Sequence, residues 1–245
     1  YDTPKLVAGS DEDSLRLATA LYKSVVKTVV PCKSLEVAEA AKVLENCYRA
    51  VNIALANEFK MALDAMGVDV WEVIEAAATK PFGFEAFYPG PGVGGECIPL
   101  HPVYMQHAAR DVGQHMPLVD MAMAVNNVQT TRTVKRIIEE LNEAGKAAKG
   151  AKVLVVGVAY KAGVEDCRNS PGIKMMELLQ AWGADVAYYD PRVPMLKTFK
   201  RDGSPRGMSV SLDLTPDWVG ARDCIVICPD DSAVDWRVVF ENAKL

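Results

Sequence analysis

Three stretches decide the fold: Lys152-Val153-Leu154-Val155-Val156-Gly157, then Ser170 to Trp182 closed by Gly183, then Asp185-Val186-Ala187-Tyr188-Tyr189-Asp190. The first is a short apolar run ending in a glycine, which predicts a buried strand. The second has the apolar spacing of an amphipathic helix with a glycine stop. The third predicts a second strand ending in an acid. Strand, helix and strand in this order make a βαβ unit of nucleotide-binding type. Beyond it, the polar stretch from Lys197 to Ser209 predicts a loop, and Pro216 marks a short helix. Asp223 to Cys228 predicts a third strand and Asp231 to Phe240 a helix. Residues 146–245 are thus expected to form a Rossmann-like parallel-sheet domain.

Upstream, the pattern changes to long helices. Ser34 is a helix N-cap, Glu36 lies in the first turn, and Gly67 is a C-terminal stop. About 32 residues without glycine or proline lie between them, a rod on the order of 48 Å. Helices of that length bridge lobes or pack on a second chain, so a homodimer is expected. Gly67-Val68-Asp69 turns into a helix over Val70 to Ala77. Glycine and proline then crowd from Pro81 to Pro102, after which helical periodicity returns through Met121 and Val134 to Ala144. This predicts a helical middle domain over 34–145. The first 33 residues read as β-α-β, with Lys5 to Gly9 and Thr28 to Pro31 as strands. Such a stub cannot cover both faces of its own sheet. It is expected either to join a sheet elsewhere or to be the remnant of a domain that begins before Tyr1. Lys244-Leu245 likewise falls where a further strand is expected.

Of the 245 residues, 50% are apolar and 24% charged, which excludes wholesale disorder and a collagen-like fibre. The net charge is −5, so no broad cationic surface for nucleic acid is indicated. Cys32, Cys47, Cys97, Cys167, Cys224 and Cys228 show no CxxC pair, hence neither a disulfide scaffold nor a metal finger. Cys224 and Cys228 read as small buried thiols. The chain shows no apolar stretch of membrane-spanning length, and a protein without a leader peptide in a reducing, cytoplasmic setting is expected. His101, His107 and His115 are the whole imidazole inventory, too few for a His-rich metal site.

The densest local signal is Tyr88-Pro89-Gly90-Pro91-Gly92-Val93-Gly94-Gly95-Glu96-Cys97-Ile98-Pro99. The glycines Gly90, Gly92, Gly94 and Gly95 let backbone amides approach a ligand closely. A cysteine directly after such a loop is placed to attack a bound electrophile. The alternative is a connector with an incidental thiol. Lys42 and Asn46 are one helical turn apart on one face. Lys42 is either a partner for a thiolate or oxyanion, or a helix-edge cation near Glu39 or Glu45. Gly157-Val158-Ala159-Tyr160-Lys161-Ala162 has one glycine where a dinucleotide fingerprint needs three. Lys161 and Arg168 lie at the carboxyl end of that strand, where open α/β sheets bind ligands; as cations they suit a phosphate, or else are ordinary surface charge.

The motifs Ala41-Lys42-Val43-Leu44-Glu45-Asn46, Tyr48-Arg49-Ala50-Val51-Asn52-Ile53-Ala54-Leu55 and the loop ending in Cys97-Ile98-Pro99 closely resemble the nucleotide-sugar 6-dehydrogenases of the UDP-glucose/GDP-mannose dehydrogenase family. Ala78 to Pro99 is most similar to the UDP-N-acetylglucosamine branch. Gly157 to Lys161 and Asp166 to Pro171 resemble the family's C-terminal UDP-binding domain. The resemblance implies oxidation of the C6 hydroxyl of a UDP-N-acetylhexosamine to a carboxylate with two NAD+ consumed, in cell-surface polysaccharide synthesis. It implies Cys97 as nucleophile, Lys42 for proton transfer and oxyanion support, and Asn46 bonded to the reacting oxygen or a water. Tyr88 and the loop Gly90 to Gly95 would hold the nucleotide sugar, Lys161 would touch it, and Arg168 would reach towards NAD. His101 stands where the family has an aspartate that orients water, and as an imidazole it can serve as the base. The family's N-terminal dinucleotide-binding domain is expected to be largely missing from this chain. The rival expectations are a non-catalytic nucleotide-binding or dimerisation module and a UDP-glucose or GDP-mannose dehydrogenase.

Overall fold

The computed structural model describes residues 1–199 and 205–244 and shows an α/β chain. Strand β1 (Lys5–Val7), helix α1 (Glu12–Lys23) and strand β2 (Val29–Pro31) come first, the two strands pairing in parallel. Four helices follow: α2 (Leu35–Ala65), α3 (Val70–Ala78), α4 (Cys97–Asp111) and α5 (Pro117–Glu143). The remainder alternates β3 (Lys152–Val156), α6 (Pro171–Ala181), β4 (Asp185–Tyr189), β5 (Met195–Phe199), β6 (Pro205–Val210), α7 (Pro216–Gly220), β7 (Cys224–Ile227) and α8 (Trp236–Asn242). No helix among the described residues is long and apolar enough to cross a membrane.

The expected βαβ unit is present. Strand β3 lies between β4 and β7, and both pairings are parallel. Alternation along β3 sorts its side chains onto two faces. Val153 and Val155 enter a core with Met175 and Leu179 of α6 and Val134, Ile137 and Leu141 of α5. Leu154 and Val156 enter a second core with Val219 and Val239. All four β3 side chains have no solvent exposure, and each contributes about 1.5–3 kcal/mol by burial.

Helix α2 has the expected limits, with the Ser34 side chain accepting from the Val37 N–H and Gly67 at φ 70°. Its buried side is made of small residues, Cys47, Ala50 and Ala54, one turn apart, which lets α5 approach closely. Val119 and Met123 of α5 pack on Cys47 and Ala50, and Ala122 and Val125 pack on Ala54. The Asn126 amide N–H reaches the Ala50 carbonyl at 2.9 Å. Helix α5 therefore lays its first half on α2 and its second half on the β3 sheet.

Three expectations need correction. The stretch Lys197 to Ser209 is not simply a loop: β5 and β6 pair antiparallel as hairpin arms, with 200–204 outside the described residues. Tertiary anchoring explains it, since Leu196 is buried and the Tyr188 hydroxyl lies 3.1 Å from the Val193 carbonyl and 3.3 Å from that of Ser209. Helix α4 begins at Cys97, inside the glycine- and proline-rich stretch, and Gly113 at φ 75° separates it from α5. Pro99 falls in its first turn, where a backbone N–H has no helical partner; Pro102 lies within the helix and gives up one ladder bond. The last helix starts at Trp236 rather than Asp231. Asp231 instead accepts from the Gly163 and Ala233 N–H groups and from Arg192 at 2.7 Å.

That carboxylate ties the strap after β3, the turn after β4 and the approach to α8 to one point. The Arg192 hydrogen bond, then the Ala233 and Gly163 N–H groups, hold its pKa well below the ordinary 3.8. A depressed carboxylate stabilises the fold fully above the unfolded pKa and loses that contribution as pH falls through the folded one. Asp231→Asn is expected to lower the urea midpoint at pH 7, and the gap to wild type is expected to narrow as pH falls below about 4, read by fluorescence unfolding curves.

Candidate active site

The glycine loop ends where α4 starts. Cys97 is the first helical residue and is exposed with a free thiol. In the first turn the Cys97 and Ile98 N–H groups point out of the helix end, whereas Pro99 has none. Ile98 packs on Cys47 and Ala50 beside Val43, which brings the start of α4 level with the Lys42 to Asn46 turn of α2. His101, one turn after Cys97, closes the interface: its Nδ1 lies 2.5 Å from Nδ2 of Asn46. Asn46 is fully buried, and its Oδ1 also accepts from Arg49. Lys42 pairs with Glu45 at 3.0 Å, and both side chains are more than half exposed. Such a pair is weak and leaves the ammonium accessible.

The loop is clasped to the segment after β3. The Gly95 N–H donates to the Arg168 carbonyl at 2.8 Å, and the Asn169 side chain donates back to the Gly95 carbonyl at 2.9 Å. Asn169 adopts φ 52°, the left-handed region that a non-glycine residue rarely enters, and the clasp holds it there. Arg168 adds charge, lying 2.7 Å from Glu96 and 2.6 Å from Asp166. Hydrogen bonds from Arg168 pull the Asp166 carboxyl down to about 2. The Arg168 guanidinium is thereby paired on both sides, and a reach towards a dinucleotide exchanges these two exposed ion pairs.

The glycines have two jobs here. A Cβ on Gly94 would lie 2.7 Å from Tyr160 Cβ and 3.0 Å from the Asn169 carbonyl, and one on Gly92 would lie 2.6 Å from Thr130 Oγ1. Gly95, at φ 76°, faces the Tyr160 ring. These three are required for docking the loop. Gly90 stands in open space, and its N–H donates to the buried Asn57 at 3.0 Å. Tyr88 stacks on Trp71 at 5.6 Å, and Lys161 lies exposed with its ammonium 5.4 Å from the Tyr160 ring centre. A cleft of about 440 Å³ opens beside the clasp, lined by Val93, Pro99, Asn126, Thr130, Asn169 and Lys174. The buried Asn126 Oδ1 has no partner among the described residues.

Arg49, Asn57, Glu96, Asn126, Asp166 and Asn169 were not singled out by the sequence reading. Arg49 carried a local signal, standing one turn after Asn46, and Glu96, Asp166 and Asn169 lie inside motifs quoted for other residues. A dinucleotide does not fit the turn after β3. Its Val158 and Ala159 N–H groups, which would face a pyrophosphate, already donate to Asp190 at 2.8 and 3.1 Å. The other oxygen of Asp190 accepts from the Arg192 and Val193 N–H groups. Among the described residues, no group of three or more His, Cys, Asp or Glu is placed to hold a metal ion.

The chain thus sets a long-helix layer before a parallel sheet and carries an exposed thiol where the glycine loop enters α4. Residues 36–128 match the central domain of the UDP-glucose/GDP-mannose dehydrogenase family and residues 154–243 its UDP binding domain, and the chain belongs to that family. The UDP-N-acetyl-D-mannosamine dehydrogenase of Pyrococcus horikoshii is 34% identical over 244 residues, 98% of this chain and 54% of the relative. The UDP-N-acetyl-D-glucosamine 6-dehydrogenase of Pseudomonas aeruginosa is 33% identical over 190 residues, 77% of this chain and 44% of the relative. A solved structure of the Pyrococcus horikoshii UDP-D-ManNAc dehydrogenase matches with a TM-score of 0.82 at 31% identity, covering 99% of this chain and 54% of that one. The chain spans about half the length of the curated relatives it matches.

The two roles of the glycines are separable. Gly94→Ala forces backbone apart at the clasp and is expected to destabilise by about 1–3 kcal/mol. Gly90→Ala, with open space at its Cβ, is expected to change stability by less than about 0.5 kcal/mol, both measured by urea unfolding.

Proposed function

We propose that the protein carrying this chain oxidises the C6 hydroxyl of a UDP-N-acetylhexosamine to the carboxylate through a thioester on Cys97. The observation that carries this reading is the exposed Cys97 thiol at the first position of α4, directly after the clasped loop, in a chain of this family. A first two-electron oxidation turns the C6 hydroxyl into the aldehyde, to which the Cys97 thiolate adds, forming a C–S bond and, once the oxygen takes a proton, a thiohemiacetal. Oxidation of that adduct gives the thioester, and water then cleaves the C–S bond to release the carboxylate and return the thiolate. Lys42 supports the oxyanion and proton transfer, with Asn46 and His101 beside it. Tyr88 and the loop Gly90 to Gly95 hold the nucleotide sugar, and Lys161 meets it from the C-terminal domain. NAD, two per sugar, is the oxidant the family likeness implies. It would take up the two electrons of each oxidation, and the described residues form no cradle for it.

The reading divides the chain into 1–33, 34–145 and 146–245, the last holding the uridine nucleotide. It includes a cytoplasmic homodimer through α2, supported by the exposed Leu44, Tyr48 and Leu55 on that helix. The substrate is taken as the glucosamine compound; relatives named for mannosamine and for glucosamine both occur. His101 in place of the family aspartate favours a second reading, a UDP-sugar-binding scaffold without turnover.

Two NADH per sugar from UDP-N-acetylglucosamine and NAD+ are expected from the full-length protein, measured at 340 nm, with UDP-N-acetylmannosamine and UDP-glucose run alongside. Confirmed sugar binding with no NADH from any of them would favour the scaffold reading. Cys97→Ser is expected to abolish acid formation, and undiminished two-step turnover in that variant would remove Cys97 from the role. Lys161→Ala is expected to weaken UDP-sugar binding about tenfold by calorimetry, the scale of one charge-assisted hydrogen bond.

A further inference from the structure

Asn46 fixes more than its own position. A guanidinium carries five N–H donors and no acceptor, so the end of the Asn46 amide facing Arg49 is the oxygen. The –NH2 end is then left for His101, across the α2–α4 interface. An –NH2 in that place needs an acceptor, and the acceptor of a neutral imidazole is its unprotonated nitrogen. With the amide in this orientation Nδ1 is the acceptor of a neutral ring, whose proton is then on Nε2.

Resting on the reading of Cys97 as nucleophile, the geometry points to His101 as a fixed hydrogen-bond donor, through Nε2–H, to the oxygen on the carbon bound to Cys97. Asn46 and Arg49 are the positioning residues that set this polarity. A general base needs a lone pair facing the proton it takes. On this ring the lone pair is on Nδ1 and is spent against Asn46, a residue with no solvent exposure. Cys97 and His101 are four residues apart on α4, hence on one face and one turn apart. A donor there stabilises the thioester carbonyl and, more strongly, the oxyanion that forms when water adds. No proton moves on His101 in this role. The family's aspartate offers only acceptors when ionised, so this chain presents the opposite hydrogen-bond polarity at the same position. The assignment replaces the base role given to His101 from sequence.

The chain has three histidines, which makes the tautomer directly measurable. With 15N-labelled histidine in the purified protein, long-range 1H–15N correlation is expected to show the His101 signal, assigned by its loss in His101→Gln, with Nδ1 bare and Nε2 protonated. A proton on Nδ1, or an averaged pair, would overturn the proposal. Arg49→Met is expected to average the two tautomers, and Arg49→Lys, which keeps a donor, to preserve the wild-type pattern. A wild-type spectrum from Arg49→Met would remove Arg49 from the arrangement. In turnover, His101→Gln keeps an N–H near the Nε2 position without basicity and is expected to retain a tenth or more of kcat. His101→Ala is expected to lose about 10²–10³-fold, the scale of one missing oxyanion donor. Equal losses in the two variants would restore the base role. Should the wild-type protein make no NADH, the dehydrogenase reading fails while the spectrum still decides the polarity of His101.

Discussion

Helix α5 is one unbroken rod from Pro117 to Glu143 that belongs to two cores at once. Its first half lies on the small residues of α2, and its second half supplies Val134, Ile137 and Leu141 to the sheet. Protein interiors are packed too densely for either half to slide, so the helical layer and the sheet hold a set spacing. The glycine loop and the segment 160–171 approach from these two bodies. They can be joined by hydrogen bonds of 2.8 and 2.9 Å only because α5 has already fixed the gap between them.

Around that junction most polar groups are already satisfied by protein. The Gly90 and Gly95 N–H groups, the Asn46 amide and the Arg168 guanidinium all have internal partners. Among the groups open to solvent there are the Cys97 thiol, the Lys161 ammonium and a Lys42 held only by an exposed pair. Rigidity and reactivity are therefore carried by different residues. The committed groups set positions to within a hydrogen bond, and the open ones are the groups a ligand can meet. Preorganisation of this kind lets a donor act on developing charge without rearrangement at the moment of reaction.

Much of this was legible in the residues themselves. The Ser34 cap, the glycine-free run and Gly67 define α2 because capping and backbone freedom are local properties. The βαβ unit was equally legible, since an apolar strand buried on both faces has its own signature. The hairpin arms β5 and β6 were not, because their pairing depends on Leu196 and Tyr188 reaching a core built by distant residues. The start of α4 was hidden by Pro99 and Pro102, residues that signal irregular chain but are tolerated near a helix start and, at a cost, beyond it. In the site, Cys97 and the glycine loop stood out by type and spacing. The Arg49, Asn46 and His101 chain did not, because its meaning lies in which end of an amide faces which neighbour across two helices. Spacing along one chain carries no record of that.

The turn after β3 shows where such a record can mislead. By topology it is the place where a nucleotide-binding sheet receives a phosphate, and its amides are aimed accordingly. In this chain the anion they receive is Asp190, which takes four backbone N–H groups with its two oxygens. A tethered carboxylate acts at an effective concentration that a dissolved phosphate does not reach. The turn is thus an anion-binding motif whose ligand is encoded in the same gene and never dissociates. What elsewhere serves recognition has here become a covalently supplied staple between two strands, so an outside nucleotide must be read by other groups along the sheet's edge.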